Sequence, residues 1–82
     1  MFCIETEAIL KNDIDGRMAN LFVYSIASMP FNIKIHKGDK QVNGKSILGL
    51  LSIGLKSGDT IQISIDKNDP DGINEIINLI NA

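Results

Sequence analysis

The sequence contains no tryptophan, one cysteine and one histidine. The cysteine, Cys3, cannot form an internal disulfide, and a free thiol is typical of proteins in a reducing cytosol. The histidine, His36, falls on the polar side of an alternating segment, where a solvated side chain is the usual outcome. Neither residue has companions at a metal-ligand spacing. We therefore expect a cytoplasmic protein that binds no metal ion and no cofactor.

Long apolar runs and an excess of basic charge are also missing. No stretch approaches the roughly 20 apolar residues that cross a bilayer, and the start of the chain does not resemble a secretory signal. The 10 acidic and 8 basic residues are scattered and give a net charge of −2. Proteins that bind phosphate backbones usually carry a basic stripe, so we expect neither direct nucleic-acid binding nor membrane insertion.

The length of 82 residues suits one small domain, which we place at 1–82. A chain of this size buries only about 60–65% of the surface that its unfolded form exposes, so a single modest core is expected. The apolar fraction is 44%, and fifteen of these residues are isoleucine. Side chains branched at Cβ favour strands and closely packed aliphatic layers.

The hydrophobic pattern predicts four strands and three helices. Apolar and polar residues alternate in the strands, whereas apolar residues recur every three or four positions in the helices. In chain order these segments cover 2–8, 16–28, 31–36, 40–43, 46–54, 60–66 and 70–80. The order β-α-β-β-α-β-α, with one apolar face on each strand, indicates an α+β fold. Its helices would cover one side of an open sheet, giving a two-layer sandwich.

The segment 13–20 combines a carboxylate with the only arginine of the chain. Asp15 is placed to cap the helix that starts at Gly16, and Arg17 follows two residues later. A helix N-terminus and an arginine fork both favour anions such as phosphate or carboxylate. This pattern therefore resembles an anion-binding site whose anion is supplied by the protein itself.

A second helix start lies at Ser46, which is also placed as an N-cap. At about 100° per residue, Leu50 and Ile53 fall on one side of the short helix that follows. A two-turn helix on a two-layer domain can bury only one of its sides. We therefore expect a partly exposed apolar patch, of the kind that marks partner surfaces, on the other side. Its residues are Ile47, Leu48 and Leu51.

Two segments and the order of the elements closely resemble the HPr family. The segments are "GRMANLFVYSIAS" at 16–28 and "VNGKSILGLLSIG" at 42–54. HPr is the small phosphocarrier of the bacterial phosphoenolpyruvate-dependent sugar phosphotransferase system. The resemblance covers nearly the whole chain, and it implies an open-faced β-sandwich with a four-stranded antiparallel sheet and three helices on one face.

The same resemblance assigns roles to positions of this chain. In HPr a histidine within a glycine-leucine-histidine-alanine-arginine-proline motif carries the phosphoryl group. Here Arg17 is retained, Asp15 stands at the position of the histidine, and Asp13 and Met18 replace the glycine and the proline. The family serine that HPr kinase phosphorylates is matched by Ser46. Relatives without the histidine resemble the Crh type, which are regulators, although those usually have glutamine where Asp15 stands.

Three interpretations of Asp15 follow. It is a plain N-cap with Arg17 as its ion-pair neighbour, or a fixed negative charge in the place of phosphohistidine, or a carboxylate that accepts phosphate as an acyl phosphate. A carboxylate is a weaker nucleophile than imidazole, so we expect no histidine-type phosphorelay through this chain.

For the chain as a whole, the resemblance implies a regulatory protein of carbon catabolite control and not an enzyme. Phosphorylation of Ser46 by HPr kinase/phosphorylase would favour binding to a LacI-type transcription regulator such as catabolite control protein A. It would disfavour binding to enzyme I. The residues expected to contact partners are Arg17, Asn20, Ile47, Leu48 and Leu51. The alternatives are a phosphotransfer protein that uses Asp15, and a docking module that is not modified.

Overall fold

The computed structural model describes residues 2–82 and contains the seven predicted elements in the predicted order. They are β1 (Ile4–Ile9), α1 (Gly16–Ile26), β2 (Ile33–Lys37), β3 (Lys40–Asn43), α2 (Ile47–Ser52), β4 (Thr60–Ile65) and α3 (Pro70–Ile80).

The observed ends differ from the predicted ones by one or two residues at most elements. β1 runs on to Ile9 because Ile9 pairs with Thr60 in the sheet. The prediction that β2 begins at Phe31 was wrong. Phe31 is 8% exposed and part of the core, but it precedes the first paired residue, Ile33. A buried side chain just before a strand continues the alternating pattern without sharing the hydrogen-bond ladder.

The four strands form one sheet in the order β1-β4-β2-β3, and every neighbouring pair is antiparallel. The predicted four-stranded antiparallel sheet is therefore confirmed. β2 and β3 are joined by a two-residue turn at Gly38 and Asp39. Gly38 has a φ of 63°, a value that glycine adopts without the steric cost that a Cβ brings.

One side of the sheet faces the helices and forms the core. Ile61, Ile63 and Ile65 of β4 are fully buried on this side. Their partners in the register on β1 and β2 point the same way, because directly paired residues share a face. The helices add buried side chains to the same core, namely Ala19, Phe22, Ile26, Leu50, Ile73, Ile76 and Ile80.

The other side of the sheet is polar, and we call it the open face. All three helices bury their apolar residues in the one core, so within residues 2–82 no helix covers this side. The predicted two-layer arrangement, with three helices on one face, is confirmed. The open face is made of Glu5, Glu7, Ile9, Lys34, His36, Gln41, Asn43, Thr60, Gln62 and Ser64.

Two carboxylates hold loops at the ends of the strands. The ammonium of Lys37 lies 2.7 Å from Asp59 Oδ2 and donates to the carbonyl of Gly54 at 2.6 Å. The hydrogen bond from Lys37, followed by that from the backbone N–H of Lys56, lowers the pKa of Asp59. The backbone N–H of Asn32, followed by its side-chain amide, lowers the pKa of the Asp66 carboxyl in the same way.

Replacement of Asp66 by asparagine should make the stability of the folded chain depend less on pH in the acidic range. A carboxyl whose pKa is lower in the folded chain stabilises it at pH values above its ordinary pKa of 3.8. That contribution is lost as the pH falls through the folded pKa. We therefore expect Asp66→Asn to lower the melting temperature near neutral pH, and the difference from wild type to shrink below a pH of about 4.

Thermal unfolding followed by circular dichroism across this pH range measures the effect. Asp39→Asn is the matched control, since Asp39 is an exposed carboxylate with no side-chain hydrogen bond among residues 2–82. A difference between Asp66→Asn and wild type that stays constant down to pH 2 would contradict the assignment.

Candidate functional site

Asp15 begins α1 and caps it. Its backbone is extended, with φ −83° and ψ −175°, and its Oδ1 accepts a hydrogen bond from Met18 N at 2.9 Å. The Asp15 carbonyl accepts the N–H of Ala19, which closes the first helical turn. The side chain is exposed, so the carboxylate can meet a partner while it caps. The capping part of the first interpretation is confirmed.

Arg17 does not pair with Asp15, so the predicted ion pair is not formed. The one salt bridge among residues 2–82 joins Lys37 and Asp59, on another part of the molecule. Helical geometry explains the result, because side chains two positions apart point away from each other. The guanidinium is exposed and is available to an external anion.

The loop that carries Asp15 is anchored to the segment after α2. Ile14 is 6% exposed, and its N–H donates to the carbonyl of Leu55 at 2.9 Å. Asp13 Oδ1 accepts the N–H of Ser57 at 2.8 Å, and Gly58 N donates to the carbonyl of Leu10. Asp13 thus positions the loop, a role that sequence reasoning missed. No local pattern indicates it, since the partner is 44 residues away.

Arg17 lines a shallow groove on the exposed side of α1, together with Asn20, Leu21 and Tyr24. Leu21 is 55% exposed and Tyr24 is 84% exposed. These two residues were absent from the predicted partner surface. The sequence does contain a pattern that indicates their exposure. They are apolar or aromatic residues of α1 that fall outside its buried stripe, at positions four and seven after Arg17.

Ser46 begins α2 in the same way as Asp15 begins α1. Its backbone is extended, and its Oγ accepts a hydrogen bond from Gly49 N at 3.0 Å. The residue is partly exposed, so the hydroxyl is not sealed in the core. The neighbouring ammonium of Lys45 is already engaged, since it donates to the carbonyl of Met29 at 2.7 Å.

The sides of α2 divide as the spacing predicts. Leu50 is fully buried and Ile53 is 7% exposed, whereas Leu48 is 80% exposed and Leu51 is 39% exposed. Ile47 differs from the expectation, because it is partly buried against the core. A Cβ at Gly49 would lie 3.1 Å from Val42 Cβ, so the glycine lets α2 pack closely on β3.

The exposed sides of α1 and α2 belong to helices that pack against each other. We call the combined surface the α1/α2 surface. It offers one cation, one amide and several apolar side chains, and each of its two helices begins at a capped N-terminus. Its members are Arg17, Asn20, Leu21, Tyr24, Ile47, Leu48 and Leu51.

Two kinds of feature do not occur among residues 2–82. No three histidine, cysteine, aspartate or glutamate side chains come together as metal ligands would. No helix has the length and apolar character that crossing a bilayer requires.

Comparison with known proteins identifies the family. The profile described as "PTS HPr component phosphorylation site" matches residues 4–82. The chain belongs to the HPr family. It is related to components of the phosphotransferase system, and the relatives named below are phosphocarrier and HPr-like proteins.

Two curated relatives show the range of similarity. The HPr-like protein Crh of Halalkalibacterium halodurans is 40% identical over 65 residues, which cover 79% of this chain and 77% of that protein. The phosphocarrier protein HPr of Neisseria meningitidis is 30% identical over 77 residues, or 93% of this chain and 86% of that protein.

A solved structure agrees with the fold. The phosphocarrier protein HPr of Bacillus anthracis superposes with a TM-score of 0.82 at 29% identity, covering 93% of this chain and 94% of that one.

Removal of the Asp15 cap should cost about 1 kcal/mol in the free energy of unfolding, because Met18 N–H loses its acceptor. Asp15→Ala is therefore expected to be less stable than wild type, whereas Asp15→Asn should be close to it, since asparagine caps as well as aspartate. Arg17→Ala should leave stability nearly unchanged. Urea unfolding of the purified variants measures all three. An Arg17→Ala loss as large as that of Asp15→Ala would show that the ion pair forms in solution.

Proposed function

We propose that this chain is a cytoplasmic regulatory protein of the sugar phosphotransferase system and of carbon catabolite control, acting as one HPr-like domain over 1–82. It is switched by phosphorylation of Ser46 and acts by binding partner proteins. The observation that carries the proposal is the geometry at Ser46. A partly exposed N-cap hydroxyl adjoins the exposed side chains of Leu48 and Leu51. The similarity to HPr-like protein Crh supports it.

Phosphate on Ser46 would meet a helix end that tolerates it. The group carries about −1.5 to −2 charges near neutral pH, and helix N-termini favour anions. The adjacent Lys45 ammonium is bonded to the Met29 carbonyl, so it does not neutralise the new charge without giving up that bond. The expected effect is therefore a change of surface charge beside Leu48 and Leu51, with little refolding.

That change of charge selects between partners. A dianion at the edge of the α1/α2 surface repels a partner that presents acidic residues and attracts one that presents arginine or lysine. By the family resemblance, the first partner is enzyme I and the second is a LacI-type regulator such as catabolite control protein A. HPr kinase/phosphorylase supplies and removes the phosphate.

The chain does not act as a histidine phosphocarrier in this proposal. At the family position the side chain is the carboxylate of Asp15, and one of its oxygens is occupied by Met18 N–H. A carboxylate is already anionic and is a weak nucleophile. Asp15 instead places a permanent negative charge at the start of α1, close to Arg17 along the helix, which discourages docking to enzyme I.

Two alternatives make different predictions. The exposure of the Asp15 carboxylate favours an acyl-phosphate acceptor, since its second oxygen has no hydrogen bond among the described residues. The exposure of Leu48 and Tyr24 in the unmodified chain favours a constitutive docking module. Label on Asp15 distinguishes the first from the proposal, and binding that is independent of the kinase distinguishes the second.

HPr kinase/phosphorylase with ATP should add one phosphate to the wild type. Ser46→Gly should receive none, because the hydroxyl is absent while glycine preserves most of the cap stability. Ser52→Ala should be labelled normally, since Ser52 is exposed on the same helix but lies at its C-terminal end. Intact-protein mass spectrometry and peptide mapping measure the result. Labelling of Ser46→Gly would refute the assignment.

The same preparation tests the regulator. Phosphorylated wild type should bind the LacI-type regulator at least about tenfold more tightly than the unmodified protein, a difference of about 1.4 kcal/mol. Leu48→Ala should weaken this binding, whereas Ile9→Ala should not, because Ile9 is 63% exposed but lies on the open side of the sheet. Equal binding of the two forms would favour the constitutive docking module.

Enzyme I with labelled phosphoenolpyruvate should leave the wild type unlabelled. Asp15→His should gain label, because the helix N-terminus and Arg17 remain in place to stabilise a phosphohistidine. Gel autoradiography with an acid-lability test distinguishes histidine from serine phosphate. Hydroxylamine-sensitive label on wild-type Asp15 would establish the acyl-phosphate alternative.

A further inference from the structure

Charges on the open face are sorted by strand. The edge strand β1 contributes Glu5 and Glu7, while β2 contributes Lys34 and His36. The strand between them, β4, contributes neutral side chains. The register aligns them in two straight rows, Glu5–Ser64–Lys34 and Glu7–Gln62–His36. The face thus carries carboxylates along one strand, neutral side chains along the next, and a lysine and a histidine along the third.

These charges are not neutralised within one chain. Strands two apart in a sheet are separated by about 9–10 Å. The ammonium of Lys34 lies 4.4 Å from the centre of the Phe2 ring and not on a carboxylate of β1. Among residues 2–82 the one salt bridge lies elsewhere, between Lys37 and Asp59. Glu5 has only a 3.5 Å contact with Ser64 Oγ, and Glu7 has a 3.4 Å contact with the amide of Gln62.

We propose that the open face binds a second copy of this chain, face to face. A two-fold axis that lies between the two faces and runs along β4 brings β1 of one copy over β2 of the other. Glu5 then faces Lys34 of the second copy, and Glu7 faces its His36. Because the axis is two-fold, each pairing occurs twice. Stacked sheets prefer nearly aligned strands, which agrees with an axis along the strand direction.

The charge pattern favours a second copy over another kind of partner. A two-fold rotation about an axis along β4 places each glutamate of β1 opposite a lysine or histidine of β2 in the second copy. One axis does this for both rows. The most exposed apolar residue nearby, Ile9, lies at the end of β1 opposite Thr60, outside the two rows. The α1/α2 surface lies on the helix layer, so it stays accessible in such a dimer.

The size of the face sets the expected strength. Four strands at about 4.8 Å and six residues at about 3.3 Å give roughly 400 Å² for each copy. This area is below that of stable interfaces and belongs to weak, transient ones. Exposed ion pairs are weak and are screened by salt. The dimer should therefore form at protein concentrations of roughly 0.1–1 mM in low salt and dissociate as salt is added.

Charge reversal on the face tests the proposal. In Glu5→Lys two attractive pairs become two repulsive ones, and the same holds for Lys34→Glu. Each single variant should weaken the dimer at least about tenfold. The combined variant Glu5→Lys/Lys34→Glu restores opposite charges across the axis and should dimerise like wild type. Sedimentation equilibrium of the full chain at low salt, with circular dichroism as a check of folding, measures the dissociation constants.

Matched controls separate the effect of charges on the open face from the effect of the net charge of the chain. Glu75→Lys on α3 and Lys40→Glu on β3 make the same changes of net charge at exposed sites away from the open face. Lys40 lies directly opposite Lys37 in the sheet, so both side chains are on the same side. This is the side of the helices, because the Lys37 ammonium bonds to the carbonyl of Gly54. Both controls should dimerise like wild type. The proposal is overturned if the wild type stays monomeric at about 1 mM in low salt. It is equally overturned if the double variant is not restored, or if Glu75→Lys weakens the dimer as much as Glu5→Lys does.

Discussion

The shape of the α1/α2 surface depends on how its two helices begin. A helix start leaves N–H groups without partners, and an exposed one needs a side-chain or solvent acceptor. Here Asp15 Oδ1 accepts from Met18 N, and Ser46 Oγ accepts from Gly49 N. These two bonds fix the first turns of α1 and α2, and the α1/α2 surface extends from those turns. The residues that define the helix ends are therefore also the residues at which charge can be placed.

The sheet supplies the rigidity that this arrangement needs. β4 pairs on both sides, and its three isoleucines are fully buried under the helices. α2 has only six residues, so its own hydrogen bonds do not hold it. It is held by Leu50 in the core, by close packing of Gly49 on Val42, and by the Lys37 bond to Gly54 at its end. With this support, the phosphate proposed for Ser46 would change the surface charge without unfolding α2.

Features that depend on neighbours in sequence were predicted well, and those that depend on distant residues were not. The caps at Asp15 and Ser46 and the order of elements follow from local spacing, and the structure confirms them. The anchor from Asp13 to Ser57 joins residues 44 positions apart, and no periodicity contains it. Leu21 and Tyr24 were missed for another reason. The spacing of apolar residues in α1 indicates its buried stripe, whereas the exposure of Leu21 and Tyr24 depends on how that stripe packs against the sheet.

Capping explains an acceptor at residue 15 but not its charge. Asparagine or serine would accept the Met18 N–H about as well, and both are neutral. The carboxylate adds a negative charge where α1 already favours anions, while Arg17 two residues later is left unpaired among residues 2–82. The cap hydrogen bond alone therefore does not distinguish aspartate from its neutral substitutes. In the proposed function recognition does, because a partner that senses charge at this helix end meets a permanent anion on Asp15 and, on a different side of the first turn, the guanidinium of Arg17.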